Sequence, residues 1–192
     1  MLDIALKFLT DELKSYLNFN IRADSNSADV VNMSRLVDQE GKYAFAEGTI
    51  AATIINIEEE RTFKSQLPDY TYRNGQHVVL EPEIKLNLHV MFAANFKRYD
   101  TALKYIAYVL TYFQSHHCFT PEEYPALDEQ IGKLTMELQS LSYEQLNQVW
   151  AFIGGKQLLS VIYKVRMVVL QDEAQMAIQP PLAVIDTQIK SR

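Results

Sequence analysis

An α+β fold, with a mostly antiparallel sheet and helices packed on one face of it, is predicted by three observations. Apolar residues recur at three- and four-residue steps in three separate stretches, the helical period. Between them lie runs rich in β-branched residues or strictly alternating in polarity, the strand period. The order is helix, strands, helix, strand, helix, strand, which lacks the regular βαβ alternation of a parallel sheet.

The opening helix spans 2–18. Leu2, Leu6, Leu9, Leu13 and Tyr16 or Leu17 form its apolar stripe, widened by Ile4 and Phe8, while Asp3, Lys7, Glu12 and Lys14 take the other side. Residues 23–29 are turn-formers and mark a loop. Two strands follow, Val30–Val37 and Glu47–Lys64, the second holding the run Thr49–Ile57. Asp38–Lys42 between them resembles a hairpin loop in which Gly41 supplies a positive φ. Residues 65–82 are polar and contain Pro68, Asn74-Gly75 and Pro82, which predicts a long loop.

Ile84–Phe92 alternates cleanly. Ile84, Leu86, Leu88, Val90 and Phe92 are expected on the buried face, and Lys85, Asn87, His89 and Met91 on the solvated one. Asn95 is placed to cap the next helix, whose stripe reads Tyr99, Leu103, Ile106, Leu110 and Phe113. Thr120-Pro121-Glu122-Glu123 predicts a short turn. Leu134, Met136 and Leu138 mark another half-buried strand. Ser142-Tyr143-Glu144-Gln145 is a capping box opening a helix with Leu146, Val149, Trp150 and Ile153 on one side, stopped by Gly154-Gly155. Leu159–Leu170 is the last strand, with Val161, Tyr163, Val165, Met167 and Val169 inward and Lys164 and Arg166 outward. Residues 1–171 are read as one domain and 172–192, with Pro180-Pro181, as an extended tail.

Composition bounds what this fold does. A chain of 192 residues with 48% hydrophobic content buries roughly 70% of its unfolded surface as one domain and needs no metal or disulfide to fold. Its net charge of -6 repels phosphate, and no run of Lys or Arg offsets that, so nucleic-acid binding is disfavoured. The single cysteine, Cys118, fits a reducing cytoplasm. The longest apolar runs fall short of the ~20 residues of a membrane span, and Met1-Leu2-Asp3-Ile4 lacks the start of a signal peptide. A cytoplasmic protein without membrane insertion is expected.

Candidate chemistry is sparse. His116-His117-Cys118 is the most ligand-like cluster, but adjacent side chains rarely converge on one ion, and a histidine at a helix end is favoured by the macrodipole alone. Glu58-Glu59-Glu60-Arg61 reads as a solvated strand end rather than a catalytic pair, which would need an apolar pocket. Gly154-Gly155-Lys156 is followed by Gln157 and is not a phosphate loop. No catalytic residue, metal or cofactor is assigned. Tyr70 and Tyr72, aromatic residues in a polar segment, are candidates for partner contact. The outward Lys164 and Arg166 are candidates for meeting an acidic edge on a partner; the plainer alternative is an ordinary surface pair. Trp150 and Tyr163 are assigned to the core.

The stretch Leu141-Ser142-Tyr143-Glu144-Gln145-Leu146-Asn147-Gln148-Val149-Trp150, followed by Ser160-Val161-Ile162-Tyr163-Lys164-Val165-Arg166, resembles the ending of the tail-terminator (cap) family of extracellular contractile injection systems of the antifeeding-prophage type. Pro82–Leu88 and the 99–113 helix are similar to that family's central strand and helix, and the opening helix with Val30-Val31-Asn32 fits its start. Segment 65–82 departs from it, since the family often has a simpler Pro-rich stretch there.

The resemblance implies a phage tail-terminator-like fold and a structural role without enzyme activity. It further implies a ring, hexameric, that sits at the distal end of the tail on the last sheath and inner-tube subunits and ends polymerisation. Two alternatives stand beside it. A related phage head–tail adaptor or completion protein would share the ring but contact other partners. A small soluble cytoplasmic enzyme would need a pocket of convergent polar groups with a shifted pKa.

Overall fold

The computed structural model describes residues 1–20, 29–61, 69–73, 76–80, 83–170 and 177–179. Helix α1 (Leu2–Asn20) leads to strands β1 (Val31–Met33) and β2 (Thr49–Glu59), then β3 (Asp69–Arg73), β4 (Gln76–Leu80) and β5 (Ile84–Asn95). Helix α2 (Tyr99–Ser115), β6 (Cys118–Phe119), a 3-10 turn (Glu129–Ile131), β7 (Leu134–Gln139), α3 (Tyr143–Ile153), β8 (Leu159–Leu170) and β9 (Ala177–Gln179) complete the order. The expected loop at 23–29 lies largely outside the described residues, as do Pro68, Asn74-Gly75, Pro82 and 180–192 of the expected tail.

Six strands form the main sheet in the order β1-β2-β5-β8-β7-β6, and three form a second sheet, β3-β4-β9. Every pairing is antiparallel except β1 with β2, so the sheet is mixed and the α+β class holds. That parallel pairing corrects the expected hairpin between the first two strands. A local turn does form at Asp38–Lys42, with the Asp38 N–H donating to the Lys42 carbonyl at 2.8 Å and Gly41 at φ 79°. It closes only the isolated bridge Val37–Tyr43, while β1 and β2 run the same way.

The expected long loop at 65–82 is corrected too, because it holds the antiparallel hairpin of β3 and β4. Asn74-Gly75 stands between two strands of five residues each, which is the strongest short hairpin signal a sequence offers. Three residues of the expected tail, Ala177–Gln179, pair with β4 as the third strand of this sheet.

Two apolar clusters lie against opposite faces of the main sheet. On the inner face, Leu9, Leu13 and Leu17 of α1 and Ile106, Val109 and Phe113 of α2 pack on Ile50, Val90, Phe92, Tyr163 and Val165. On the outer face, Trp150 of α3 joins Leu36 and Phe45 against Ala51, Met91, Ala93 and Ile162. The helices therefore divide, with α1 and α2 inside and α3 outside. This explains why Met91, expected to be solvated, is fully buried: the centre of β5 is covered on both sides.

Helix α2 buries the Ile106, Leu110 and Phe113 part of its expected stripe against the core, but not its first two members. Ala102, Tyr105, Ile106, Val109, Tyr112 and Phe113 are buried, whereas Tyr99 and Leu103 are 68% and 45% exposed. Tyr105 stacks on Phe96 at 4.4 Å, and Tyr112 is wedged among Tyr16, Phe113 and His116. The buried aromatic contacts outweigh those two apolar residues. Nor does Asn95 cap α2. It closes β5 and its side-chain amide donates to the Phe45 carbonyl, while Arg98 holds the cap position without a side-chain bond.

The capping box of α3 forms as expected: the Gln145 N–H donates to Ser142 Oγ at 3.2 Å, and the Ser142 N–H donates to Gln145 Oε1 at 2.9 Å. Gly154, at φ 78°, ends the helix.

Candidate interaction surfaces

The long strands β2, β5 and β8 carry a polar patch on the outer face, below the Trp150 cluster. Register fixes its membership: Asn56, His89, Lys164 and Glu137 form one row across four strands, and Asn87 pairs with Glu58 beside it. Lys164 Nζ donates to Glu58 Oε2 at 2.8 Å, and Arg166 Nε lies 2.8 Å from Glu137 Oε1. His89 Nε2 is 3.2 Å from Glu58 Oε2. Neither His89 Nε2 nor Arg166 Nε has hydrogen-bond alignment with its carboxylate, so each is a close polar contact rather than a hydrogen bond. The hydrogen bond from Lys164, and then the contact with His89, hold the Glu58 carboxyl below its ordinary value. Asn87, buried, donates from Nδ2 to Glu60 at 3.0 Å.

Lys164 and Arg166 thus point outward as predicted, and their charges are met within the chain. Glu58 and Glu137 answer them from strands whose pairing the local sequence does not reveal. Tyr70 and Tyr72 fall on β3, in register with Val79 and His77 of β4. The four candidates do not form one site.

Of the remaining motifs, His116 caps α2. Its ring stacks on Tyr112 at 4.6 Å with Nδ1 3.1 Å from the Tyr112 carbonyl, which leaves that nitrogen turned into the helix end. Cys118 begins β6. Among the described residues no group of three or more His, Cys, Asp or Glu is arranged to hold a metal ion, and no helix is long and apolar enough to cross a membrane. Trp150 and Tyr163 are buried, as assigned. Burial pushes the Tyr163 hydroxyl up to about 12, so it stays protonated.

Two surface features were missed from sequence. A groove of about 490 Å³ lies on the inner face between α2 and the β7 side of the sheet, lined by Leu110, Phe113, His117, Met136, Leu138 and Tyr163 among others. At the opposite edge Met33 and Ile57 are 45% and 47% exposed. Alternation reports which face a residue takes, but not whether a helix reaches far enough to cover it.

An α+β unit of this kind, with two helices over one face of a mixed sheet, is shared with known tail-capping proteins. The chain superposes on the sheath/tube terminator, in its extended state, of an extracellular contractile injection system termed PVC, with a TM-score of 0.61 at 12% identity. The match covers 95% of this chain and 63% of that one. It also superposes on the tube-terminating cap of the anti-feeding prophage, with a TM-score of 0.62 at 12% identity, covering 93% of this chain and 59% of that one. The chain therefore spans less than two thirds of the length of either. Residues 6–183 match the Pvc16 N-terminal domain, and the chain belongs to that family. No curated protein matches it in sequence.

Proposed function

We propose that this chain is a subunit of the cap that ends the tube and sheath of an extracellular contractile injection system. The observation that carries the reading is the family match over residues 6–183; the terminator fold supports it. The role is structural and non-enzymatic. The subunits close into a ring, hexameric in keeping with the resemblance noted above, made in the cytoplasm and seated on the last tube and sheath subunits. Residues 1–171 supply the folded body, and Ala177–Gln179 pair back onto β4.

A growing cylinder ends in a repeating open interface that keeps recruiting subunits. A cap must match that interface on one side and offer none on the other, and a closed ring does both. Tyr70 and Tyr72, both on β3, are contact residues in this reading, because aromatic side chains give large contact area at low entropic cost. Lys164 and Arg166 contribute only where a partner's carboxylate displaces Glu58 or Glu137.

Electron microscopy of particles from a strain lacking this protein tests the reading. Tails of irregular length or with unstable sheaths are expected. Tails of normal, uniform length would overturn it.

A further inference from the structure

A second groove, of about 490 Å³, runs beside residues 3–12 of α1, between that helix, the edge strand β1 and the segment 119–132. Phe8 holds its two walls together, with its ring 5.5 Å from Phe119 and 6.0 Å from Tyr124 in edge-on contacts. The floor is apolar. Ile4, Phe8, Met33 and Ala126 line it, and Ile4 and Met33 stay exposed.

The rim is acidic. Asp3, Asp11 and Glu12 line the groove against one cation, Lys7. Asp3 is met by the Met1 amino group at 2.9 Å, and Lys14, the next cation along α1, is taken by Asp29. Asp11 is exposed and makes no ion pair among the described residues. The segment that supplies Ala126 adds Glu122, Glu123, Asp128 and Glu129, and residues 119–132 contain no Lys, Arg or His to offset them. Two tyrosines behind the groove register this field. Burial first, and then the Glu12 carboxylate, push the Tyr112 hydroxyl up. Burial, and then Glu12 and Glu123, do the same to Tyr124.

An apolar floor under an acidic rim fits a side chain that is itself divided, with a hydrocarbon stem and a cationic head. We propose that this groove docks a basic amphipathic segment of another protein, an Arg or Lys of which lays its stem over Ile4 and Met33 and its charge on Asp11 and Glu12. Carboxylates bind such heads through charge-assisted hydrogen bonds. A second copy of this chain brings a net charge of -6 to the same rim and is repelled, as are nucleic acids and anionic lipids. Occupancy of this groove does not depend on the cap reading.

The test is binding of a dye-labelled peptide of repeating Leu-Arg-Arg-Leu to the full chain, followed by anisotropy, beside a matched peptide with Glu in place of Arg. The basic peptide is expected to bind and the acidic one not. Asp11→Lys is expected to weaken binding about tenfold with the melting temperature unchanged. Glu144→Lys alters net charge equally but lies on α3, across the sheet, and is expected to leave affinity within about twofold, because salt screens a distant charge. Met33→Ser is expected to weaken binding without any change in charge. Glu123→Lys stands in for Asp11→Lys should the latter lower the melting temperature. Equal losses from Asp11→Lys and Glu144→Lys overturn the inference, since they report overall charge and not the groove. Binding that survives Asp11→Lys, or no binding of the basic peptide to the unaltered chain, overturns it too. So does self-association of the chain that Asp11→Lys abolishes, which would make a second copy the occupant.

Discussion

Trp150 and Tyr163 sit at the centres of the two clusters, one on each face of the sheet. Replacing either with alanine removes a large buried ring and leaves a cavity, at a cost of about 3–5 kcal/mol. Urea denaturation of the purified chain is expected to show that loss, or no folded protein at all. Gly155 is a subtler case. A Cβ there would stand 2.8 Å from Val37 Cγ2, and a β-branched side chain has little room to swing away. Gly155→Ala is expected to cost about 1–3 kcal/mol, measured the same way. Glu58 gives a pH signature. Its pairing holds the folded-state pKa below the ordinary 4.5, so the stabilisation is complete above that value and is lost as the pH falls through the folded value. Because Glu58 is 43% exposed, water screens the pair and Glu58→Gln is expected to cost only about 0.5 kcal/mol at neutral pH. Denaturation midpoints of the two proteins should converge in acid. A difference that persists there would mean that the carboxylate charge is not its source.

At the level of elements, what could be read from sequence depended on how local its cause is. Strand β8 was expected at Leu159–Leu170 and is found there, because a long β-branched run after a Gly-Gly stop needs no distant partner to define it. The cap of α3 was equally legible, since both its hydrogen bonds lie within four residues. Ser142→Ala is expected to cost about 1 kcal/mol, visible as a lower melting temperature by circular dichroism. Helix α2 lies where its periodicity puts it and buries Ile106 and Phe113 of the expected stripe, while Tyr99 and Leu103 are exposed. It carries two apolar stripes, and only the tertiary stacking of Tyr105 and Tyr112 decides between them. The β3-β4 hairpin is less legible: the Tyr70-Thr71-Tyr72 alternation and the Asn74-Gly75 pair point to it, but the polar composition around them and Pro68 and Pro82 weigh toward a loop.

Across the whole molecule, the α+β class followed from element order, whereas the layering did not. A sheet covered on both faces at its centre and on one face at its margins produces mixed patterns within a single strand, as β5 shows from Ile84 to Asn95. The candidate contacts divide in the same way. Lys164 and Arg166 were recognisable as outward cations, but their partners lie on other strands, Glu58 being separated from Lys164 by 106 positions. Parallel pairing of β1 with β2 was likewise invisible, because it depends on residues 34–48 passing between the strands rather than turning back.

The small sheet joins residues 69–80 to residues 177–179, almost a hundred positions further along. During synthesis the hairpin emerges early, with the side of β4 that receives β9 bare. It stays so until the ribosome has passed Gln179. A product truncated before Ala177 would lack β9 and leave that flank of β4 ready to take a strand from some other molecule.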